Sequence, residues 1–141
     1  MILTDEMINV IQSELNLCIS NDEIPVCAIV INRENKIIGI GHNSRQGDHC
    51  VTGHAEINAI IDAEKNIGDW RLDGYSMIVT LEPCDMCMSI IRESRLDSVY
   101  YLCKSNYQHS NHLPNYGLIE NEILSEKYIS NLLADFFNNK R

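Results

Sequence analysis

Three metal-binding side chains in two distant segments constrain the fold of this 141-residue chain more than any other feature of its sequence. His54 lies in the first segment, and Cys84 and Cys87 lie in the second. Imidazole and thiolate groups are ligands that Zn²⁺ binds readily, and a catalytic zinc site typically has three protein ligands, with water in the fourth position. We therefore expect the chain to fold so that both segments meet at one zinc ion.

Both segments have the features of a helix start. Pro83 stands where proline is best tolerated, at or just before the first turn of a helix predicted over residues 84–94. Residues three apart on a helix are neighbours, so Cys84 and Cys87 share a face, and the helix N-terminus favours their thiolate forms. A second helix is predicted over residues 54–66, beginning at His54. The sequence therefore predicts that two helix N-termini face one metal ion.

Glu56 is the predicted catalytic residue. It lies two residues after His54, close enough to reach a water molecule in the fourth zinc position without binding the metal itself. A carboxylate in that place carries protons between the water and a substrate. Without the His54–Glu56 segment, Cys84 and Cys87 would be read as a redox pair or as half of a structural zinc site. A structural site needs a fourth protein ligand, and the candidates are His49, Cys50 and Cys103.

Apolar periodicity predicts alternating helices and strands. A first helix is predicted from Thr4 or Asp5, either of which can be its N-cap, because the apolar residues that follow recur at helical spacing. A continuous apolar run at 26–31 is typical of a strand buried on both sides, and a turn joins it to a second strand at 37–40 in a hairpin. Further strands are predicted at 75–81 and 98–103, a loop at 41–53 and a helix at the C-terminus. In the helix predicted over 54–66, Ile57, Ile60 and Ile61 are expected to face inward. The segment 104–115 has no clear periodicity and receives no assignment. This alternation predicts an α/β fold with a three-layer or two-layer sandwich around a mixed central sheet, of which we expect the three-layer α/β/α sandwich.

Composition limits the class of protein. The formal charge of −9 and the pI near 4.9 argue against a general nucleic-acid binder, because phosphate recognition depends on clustered Lys and Arg. A local basic rim around the metal is still compatible with that charge, and its predicted members are Arg45, Arg71, Lys104, Lys140 and Arg141. The length predicts one domain, residues 1–141, and the lack of a signal-peptide pattern or membrane-length apolar run predicts a cytoplasmic protein with reduced cysteines.

Several runs of the sequence resemble the bacterial tRNA adenosine deaminases of the cytidine deaminase superfamily. These runs are Glu23-Ile24-Pro25-Val26, Gly41-His42-Asn43, Gly53-His54-Ala55-Glu56, Asp69-Trp70-Arg71-Leu72, the stretch from Thr80 to Cys87, Ser94-Arg95 and Phe136-Phe137. The resemblance implies a cytidine deaminase-like fold and a zinc-dependent hydrolytic conversion of adenosine to inosine at the wobble position of tRNA. It implies His54, Cys84 and Cys87 as zinc ligands, Glu56 as the proton shuttle, and Asn43 as a contact to the base or ribose. It also implies a homodimer in which both subunits contact RNA.

Two departures from that family concern the substrate. The residue before the first zinc ligand is usually Ala and here is Gly53, and the segment 102–109 replaces a Gly-rich, Lys-containing loop. The alternative function is deamination of a free base or nucleoside such as guanine, cytosine or cytidine, which a cavity closed by residues 104–115 or by the C-terminal helix would favour. A third interpretation is a non-catalytic zinc-stabilised domain, against which Glu56 argues. Trp70 is predicted to be a packing anchor, and burial is predicted for Phe136 and Phe137.

Overall fold

The computed structural model describes residues 1–107 and 113–139. The elements in chain order are α1 (Asp5–Ser20), β1 (Cys27–Ile31), β2 (Ile37–His42), α2 (Arg45–Asp48), α3 (Ala55–Ile67), β3 (Ser76–Val79), α4 (Asp85–Glu93), β4 (Ser98–Tyr101), β5 (Asn115–Leu118) and α5 (Glu126–Asn138). Within those described residues, no helix is both long and apolar enough to cross a membrane.

The central sheet is mixed, with strand order β2-β1-β3-β4-β5. Strand β1 pairs antiparallel with both β2 and β3, whereas β3, β4 and β5 run parallel. Helices α1 and α5 pack on one face of the sheet and helices α3 and α4 on the other, each over its own apolar cluster. The predicted hairpin and the three-layer α/β/α sandwich around a mixed sheet are therefore confirmed.

Strand β1 lies between the two helical layers. Cys27, Ile29 and Ile31 belong to the cluster under α1 and α5, and Ala28 and Val30 belong to the cluster under α3 and α4. All five residues of the strand are buried. This explains the unbroken apolar run in the sequence, because successive side chains of a strand point to opposite faces and here both faces are covered.

Helix α3 lies unusually close to β2, and this closeness fixes the position of its N-terminus. A Cβ at Gly41 would come within 2.3–2.4 Å of the Ala59 amide nitrogen and the Ala55 carbonyl oxygen, so no larger residue fits there. The Asn58 side chain also donates to the His42 carbonyl oxygen at 2.9 Å. The sheet and the loop after β2 therefore hold the start of α3, where His54 is located.

The structure corrects two sequence predictions about local structure and assigns part of one segment that the sequence left unassigned. The predicted loop at 41–53 begins with the end of β2 and contains the short helix α2. The unassigned segment 104–115 ends in β5, an edge strand whose sequence Asn115-Tyr116-Gly117-Leu118 has no strong β pattern; residues 108–112 lie outside the described part of the chain. Ile61 is 44% exposed rather than inward, because α3 rests on the sheet along the line of Ala55, Ala59 and Ala63.

Candidate active site

His54, Cys84 and Cys87 meet at one point between the N-termini of α3 and α4. The His54 Nδ1 atom lies 3.7 Å from the Cys84 Sγ atom and 3.5 Å from the Cys87 Sγ atom, and all three ligand atoms lie within 4.8 Å of one another. Zn–S bonds of about 2.3 Å and Zn–N bonds of about 2.0 Å meeting at a tetrahedral angle place nitrogen and sulfur roughly 3.5 Å apart. The donor set and its spacing therefore fit a zinc ion.

Two of the three residues stand at helix N-cap positions. His54 precedes α3 and Cys84 precedes α4, both with extended backbone dihedrals, and neither side chain caps its own helix. Their side chains turn instead toward the shared point, where the positive ends of two helices favour thiolate ligands. Cys87 lies in the first turn of α4 and is buried.

The predicted fourth protein ligands of a structural site lie elsewhere. Across residues 1–107 and 113–139, the metal-binding group found here contains only His54, Cys84 and Cys87. Cys50 is exposed and its sulfur lies 2.8 Å from the Thr52 hydroxyl, while Cys103 belongs to the apolar cluster on the other face of the sheet. The described ligand set leaves one tetrahedral position open, as in catalytic rather than structural zinc sites.

Glu56 is buried beside these ligands and lines the same cavity. Its side chain is hydrogen-bonded to the Cys87 side chain, and burial raises the pKa of its carboxyl to about 7. Burial, followed by the charge of Arg45, lowers the pKa of the His54 imidazole, and burial raises the pKa of the Cys87 thiol. A carboxyl with a pKa near neutrality both accepts and releases protons at physiological pH, which is the requirement for a proton shuttle.

A cavity of about 270 Å³ opens at the metal-binding residues. Its walls come from the loops after β2 and β3 and from α3, with Tyr107 from the segment after β4 and Leu133 and Phe137 from α5. Its volume is below the roughly 300–1,000 Å³ of pockets for drug-sized ligands. It suits a single base or nucleoside.

A larger groove of about 730 Å³ adjoins this cavity, and the two share four lining residues. The shared residues are Ile24, Asn43, Arg45 and Phe137. Asn43 is buried, and within the described ranges its side-chain amide makes no hydrogen bond. An amide that faces two cavities without a protein partner is available to donate to or accept from a ligand.

Several predictions about the surroundings of the site are wrong. Among the described members of the predicted basic rim, Arg45 lines the cavity and Arg71 does not; Arg71 follows the C-terminal end of α3, whereas His54 precedes its N-terminal end. Lys104 is exposed outside the cavity, and Lys140 and Arg141 lie outside the described residues. Trp70 is 54% exposed, with the guanidinium carbons of Arg71 and Arg95 at 5.9 Å and 5.5 Å from its ring centroid, and Phe137 is 52% exposed.

Glu82 is a residue of the site that the sequence pattern did not indicate. This residue is buried and lines the cavity, and its carboxylate accepts hydrogen bonds from the Tyr116 hydroxyl at 2.6 Å and from the Ser105 amide at 3.1 Å. It thereby ties β5 and the segment after β4 to the cavity wall. The available signal was the position of this carboxylate between an apolar strand and a proline, where burial is expected. A buried carboxylate needs hydrogen-bond donors, so its burial would have indicated polar partners near the site.

Residues 3–103 match the family model described as the cytidine and deoxycytidylate deaminase zinc-binding region. The tRNA-specific adenosine deaminase of Buchnera aphidicola subsp. Schizaphis graminum is 35% identical over 131 residues, covering 86% of this chain and 85% of that protein. The tRNA(Ile)-lysidine synthase of Deinococcus deserti is 39% identical over 79 residues, which are 56% of this chain. The match spans only 15% of that much longer protein. The matched region therefore occurs both nearly alone and within much longer proteins.

Solved structures resemble the whole fold. A structure from studies of A-to-I editing by tRNA deaminases at the wobble position of transfer RNA superposes with a TM-score of 0.72 and 26% identity, covering 81% of this chain and 97% of that one. The guanine deaminase from Nitrosomonas europaea superposes with the same TM-score of 0.72 at 18% identity, covering 96% of this chain and 85% of that one. The second likeness concerns the fold alone.

Proposed function

The chain belongs to the family of cytidine and deoxycytidylate deaminases with a zinc-binding region, and from this premise we propose that it converts adenosine to inosine at the wobble position of tRNA. The reaction is hydrolytic: water adds to the amine-bearing ring carbon, and the amine leaves as ammonia while a carbonyl remains. The similarity to tRNA-specific adenosine deaminases supports this choice within the family.

The proposed roles of the site residues follow from their positions. His54, Cys84 and Cys87 hold zinc, which when bound supplies Lewis-acid activation of the attacking water. Glu56 accepts a proton from that water and delivers protons to the ring nitrogen and to the departing amine, a role supported by its burial beside Cys87 and its pKa near 7. Asn43 binds the base or the ribose from the mouth of the cavity.

The junction of the cavity with the groove is the observation that carries the choice of a polymeric substrate. A single base fills the cavity, and the groove that shares four of its lining residues gives the flanking nucleotides a path across the surface. The exposed Phe137 ring at the junction offers a face on which a neighbouring base can stack. A wobble base is already single-stranded, so its entry into the cavity requires no opening of a duplex.

The rest of the proposal concerns the assembly and its location. We place residues 1–141 in a single zinc-dependent deaminase domain that acts in the cytoplasm as a homodimer. A second subunit would extend the RNA surface, because Arg45 is the one basic residue that lines the catalytic cavity within the described part of the chain. A monomer in solution, measured by light scattering of the zinc-loaded protein, would contradict the dimer.

The proposed activity is tested by ammonia release from a panel of substrates. Zinc-loaded protein is incubated with an anticodon stem-loop carrying adenosine at the wobble position, the same stem-loop carrying guanosine there, and free adenosine, cytidine, cytosine and guanine. We expect turnover of the adenosine stem-loop and conversion of its wobble base to inosine, measured by nuclease digestion and chromatography. Turnover of free guanine or cytidine without any turnover of the stem-loop would overturn the tRNA proposal.

Deamination of a free base or nucleoside, such as guanine, cytosine or cytidine, is the second candidate. Tyr107 from the segment after β4 and Leu133 and Phe137 from α5 line the cavity, and Glu56 and Glu82 give it two carboxyl groups. A cavity covered by the segment after β4 and by the C-terminal helix, with acidic groups in its lining, is the arrangement expected for a free base or nucleoside. The stem-loop arm of the panel separates the two functions directly.

A further inference from the structure

One positive charge lies at the junction of the catalytic cavity and the groove. The four residues that line both spaces are two apolar residues, Ile24 and Phe137, the amide Asn43, and Arg45. Arg45 is exposed, and within the described ranges its guanidinium forms no ion pair with a carboxylate. In a chain of formal charge −9, a cation without an acidic partner at a cavity mouth is available for an anionic ligand.

A buried carboxylate holds the backbone of the short helix that carries Arg45. Glu23 is 3% exposed, and its two oxygens accept hydrogen bonds from the amides of Gln46 at 3.1 Å and Gly47 at 2.7 Å. Hydrogen bonds from backbone amides to a charged carboxylate are stronger than neutral ones. Glu23 thereby fixes the turn directly after Arg45 against the segment that follows α1.

The same turn rests on the residue before the first metal ligand. The Ser44 amide donates to the Gly53 carbonyl oxygen at 2.7 Å, and a Cβ on Gly53 would lie 2.8 Å from the Arg45 nitrogen and 2.9 Å from its Cα atom. A side chain at position 53 would clash with the backbone of Arg45, so the close approach of this turn to the residue before His54 requires glycine there. Glu23 and Gly53 therefore hold the turn from two sides.

We propose that Arg45 binds the phosphate that adjoins the target nucleotide, and that Glu23 and Gly53 are positioning residues that hold Arg45 at the cavity mouth. This inference rests on the proposed function, since it assigns a phosphodiester at the point where the base leaves the groove and enters the cavity. A guanidinium binds two phosphate oxygens at once, so it fixes the orientation of the nucleotide and also neutralises the charge of the phosphate. A free base has no group for this residue to bind.

Salt-dependent binding of the anticodon stem-loop to the zinc-loaded protein tests the role of Arg45. Arg45→Gln should weaken binding about tenfold at low salt and reduce the slope of log K against log salt by about one, as expected for one lost phosphate contact. Arg33→Gln is the matched control, because Arg33 is an exposed arginine in the β1–β2 turn, at the end of the hairpin away from His42.

The outcomes separate this inference from the proposed function. If wild-type protein deaminates the stem-loop but Arg45→Gln keeps its affinity and salt slope, the phosphate assignment is overturned and the tRNA activity stands. If wild-type protein deaminates only a free base, the proposed function fails together with the phosphate contact. A lower salt slope for Arg45→Gln with an unchanged slope for Arg33→Gln supports the inference.

Glu23→Gln and Gly53→Ala test the positioning roles. Each should raise KM for the stem-loop more than it lowers kcat, and each combined with Arg45→Gln should show less than the product of the single effects, because they act through the same residue. Hydrogen exchange of the Gln46 and Gly47 amides should speed up in Glu23→Gln. Unchanged exchange and a fully multiplicative double variant would show that Glu23 does not position Arg45.

Discussion

The helices on the two faces of the sheet begin in different ways. On one face, the Thr4 hydroxyl accepts the Met7 amide at 3.2 Å and the Ser125 hydroxyl accepts the Tyr128 amide at 3.1 Å, so α1 and α5 have side-chain N-caps. On the other face, α3 and α4 begin at His54 and Cys84 with no side-chain cap. A missing N-cap typically costs about 1 kcal/mol of stability. The position that stabilises a helix on one face supplies a metal ligand on the other.

The two faces also differ in what they bury. The clusters on both faces consist of apolar side chains, and the buried carboxylate after α1, Glu23, is satisfied by two backbone amides. On the α3 and α4 side, the carboxyl of Glu56 is buried next to Cys87. The face that carries the chemistry therefore gives up stability twice, through uncapped helices and through a buried ionisable group. Substitutions at the site on the α3 and α4 face should therefore mainly lower activity, whereas substitutions on the α1 and α5 face should mainly lower stability.

The largest expected effect separates two buried cysteines. Cys87→Ala should abolish stoichiometric zinc binding and all turnover, because it removes one of three ligands. Cys103→Ala, on the opposite face, should retain one zinc per chain and full turnover while lowering the free energy of unfolding. Metal content measured by mass spectrometry on protein purified without chelators checks both. Zinc retained at one per chain in Cys87→Ala would show that the ligand set is wrong.

The next effect concerns proton transfer. Glu56→Gln should lower kcat roughly 10²–10⁴-fold while retaining zinc, because it removes a general acid-base group without changing the shape of the side chain. Glu82→Gln is the matched control: this carboxylate also lines the cavity, but Tyr116 and Ser105 occupy its oxygens, so a smaller loss is expected. Equal losses in the two variants, measured as single-turnover rates, would contradict the shuttle role of Glu56.

The same Glu56→Gln variant should stabilise the metal-free protein at high pH. Burial raises the folded-state pKa of Glu56 from 4.5 to about 7, so the native state binds an additional proton between those pH values. The contribution of Glu56 to the free energy of unfolding is therefore fully present below pH 4.5. It is lost as the pH rises through about 7, and the loss is on the order of 3 kcal/mol. Urea unfolding of chelator-treated protein at pH 8 should show the variant to be more stable than wild type, with the difference disappearing near pH 4.5.

A smaller effect tests the capped face. Thr4→Ala should lower the free energy of unfolding by about 1 kcal/mol and leave kcat and KM unchanged, because the cap of α1 contacts neither cavity. Thermal and urea unfolding give the first quantity, and the stem-loop assay gives the second. A change in turnover would mean that the two faces are not energetically separate.

The smallest expected effect comes from placing a capping side chain at the N-terminus of α4. Cys84→Ser places a hydroxyl at the N-cap of α4, whose extended dihedrals suit a capping side chain. In metal-free protein this substitution should raise stability by a few tenths to about 1 kcal/mol, although it removes a zinc ligand. Thr4→Ser, which keeps a hydroxyl cap, is the neutral control. A loss of metal-free stability in Cys84→Ser would show that the uncapped N-terminus of α4 is not a weakness of the fold.

The predictions from sequence were most accurate where a few residues carry both a local signal and a chemical one. His54, Cys84 and Cys87 are close to helix starts, and the structure brings them together as a group able to hold one metal ion. The buried strand β1, the hairpin with β2 and the Thr4 cap of α1 also follow from short-range patterns. Local patterns of this kind depend on period and side-chain type, which the sequence records directly.

Features that depend on packing between distant segments were less accurately predicted. Arg71 and Lys104 do not line the cavity, whereas Tyr107, Leu133 and Phe137 do, because the segment after β4 and helix α5 fold back over the site. Strand β5 forms by pairing with β4 and has little β pattern of its own. Exposure of Trp70 and Phe137 depends on which surfaces their neighbours leave open.

The sequence by itself determined which three side chains could hold a metal ion, the placing of Glu56 beside them and the alternation of helix and strand, since each rests on residue type and spacing within a few turns of chain. Only the tertiary structure decided the shape of the site: the cavity walls, the groove beside it, the buried carboxylates of Glu23 and Glu82, and the place of Arg45. These features arise where segments distant in sequence pack together, and packing is a property of the whole chain rather than of any window within it.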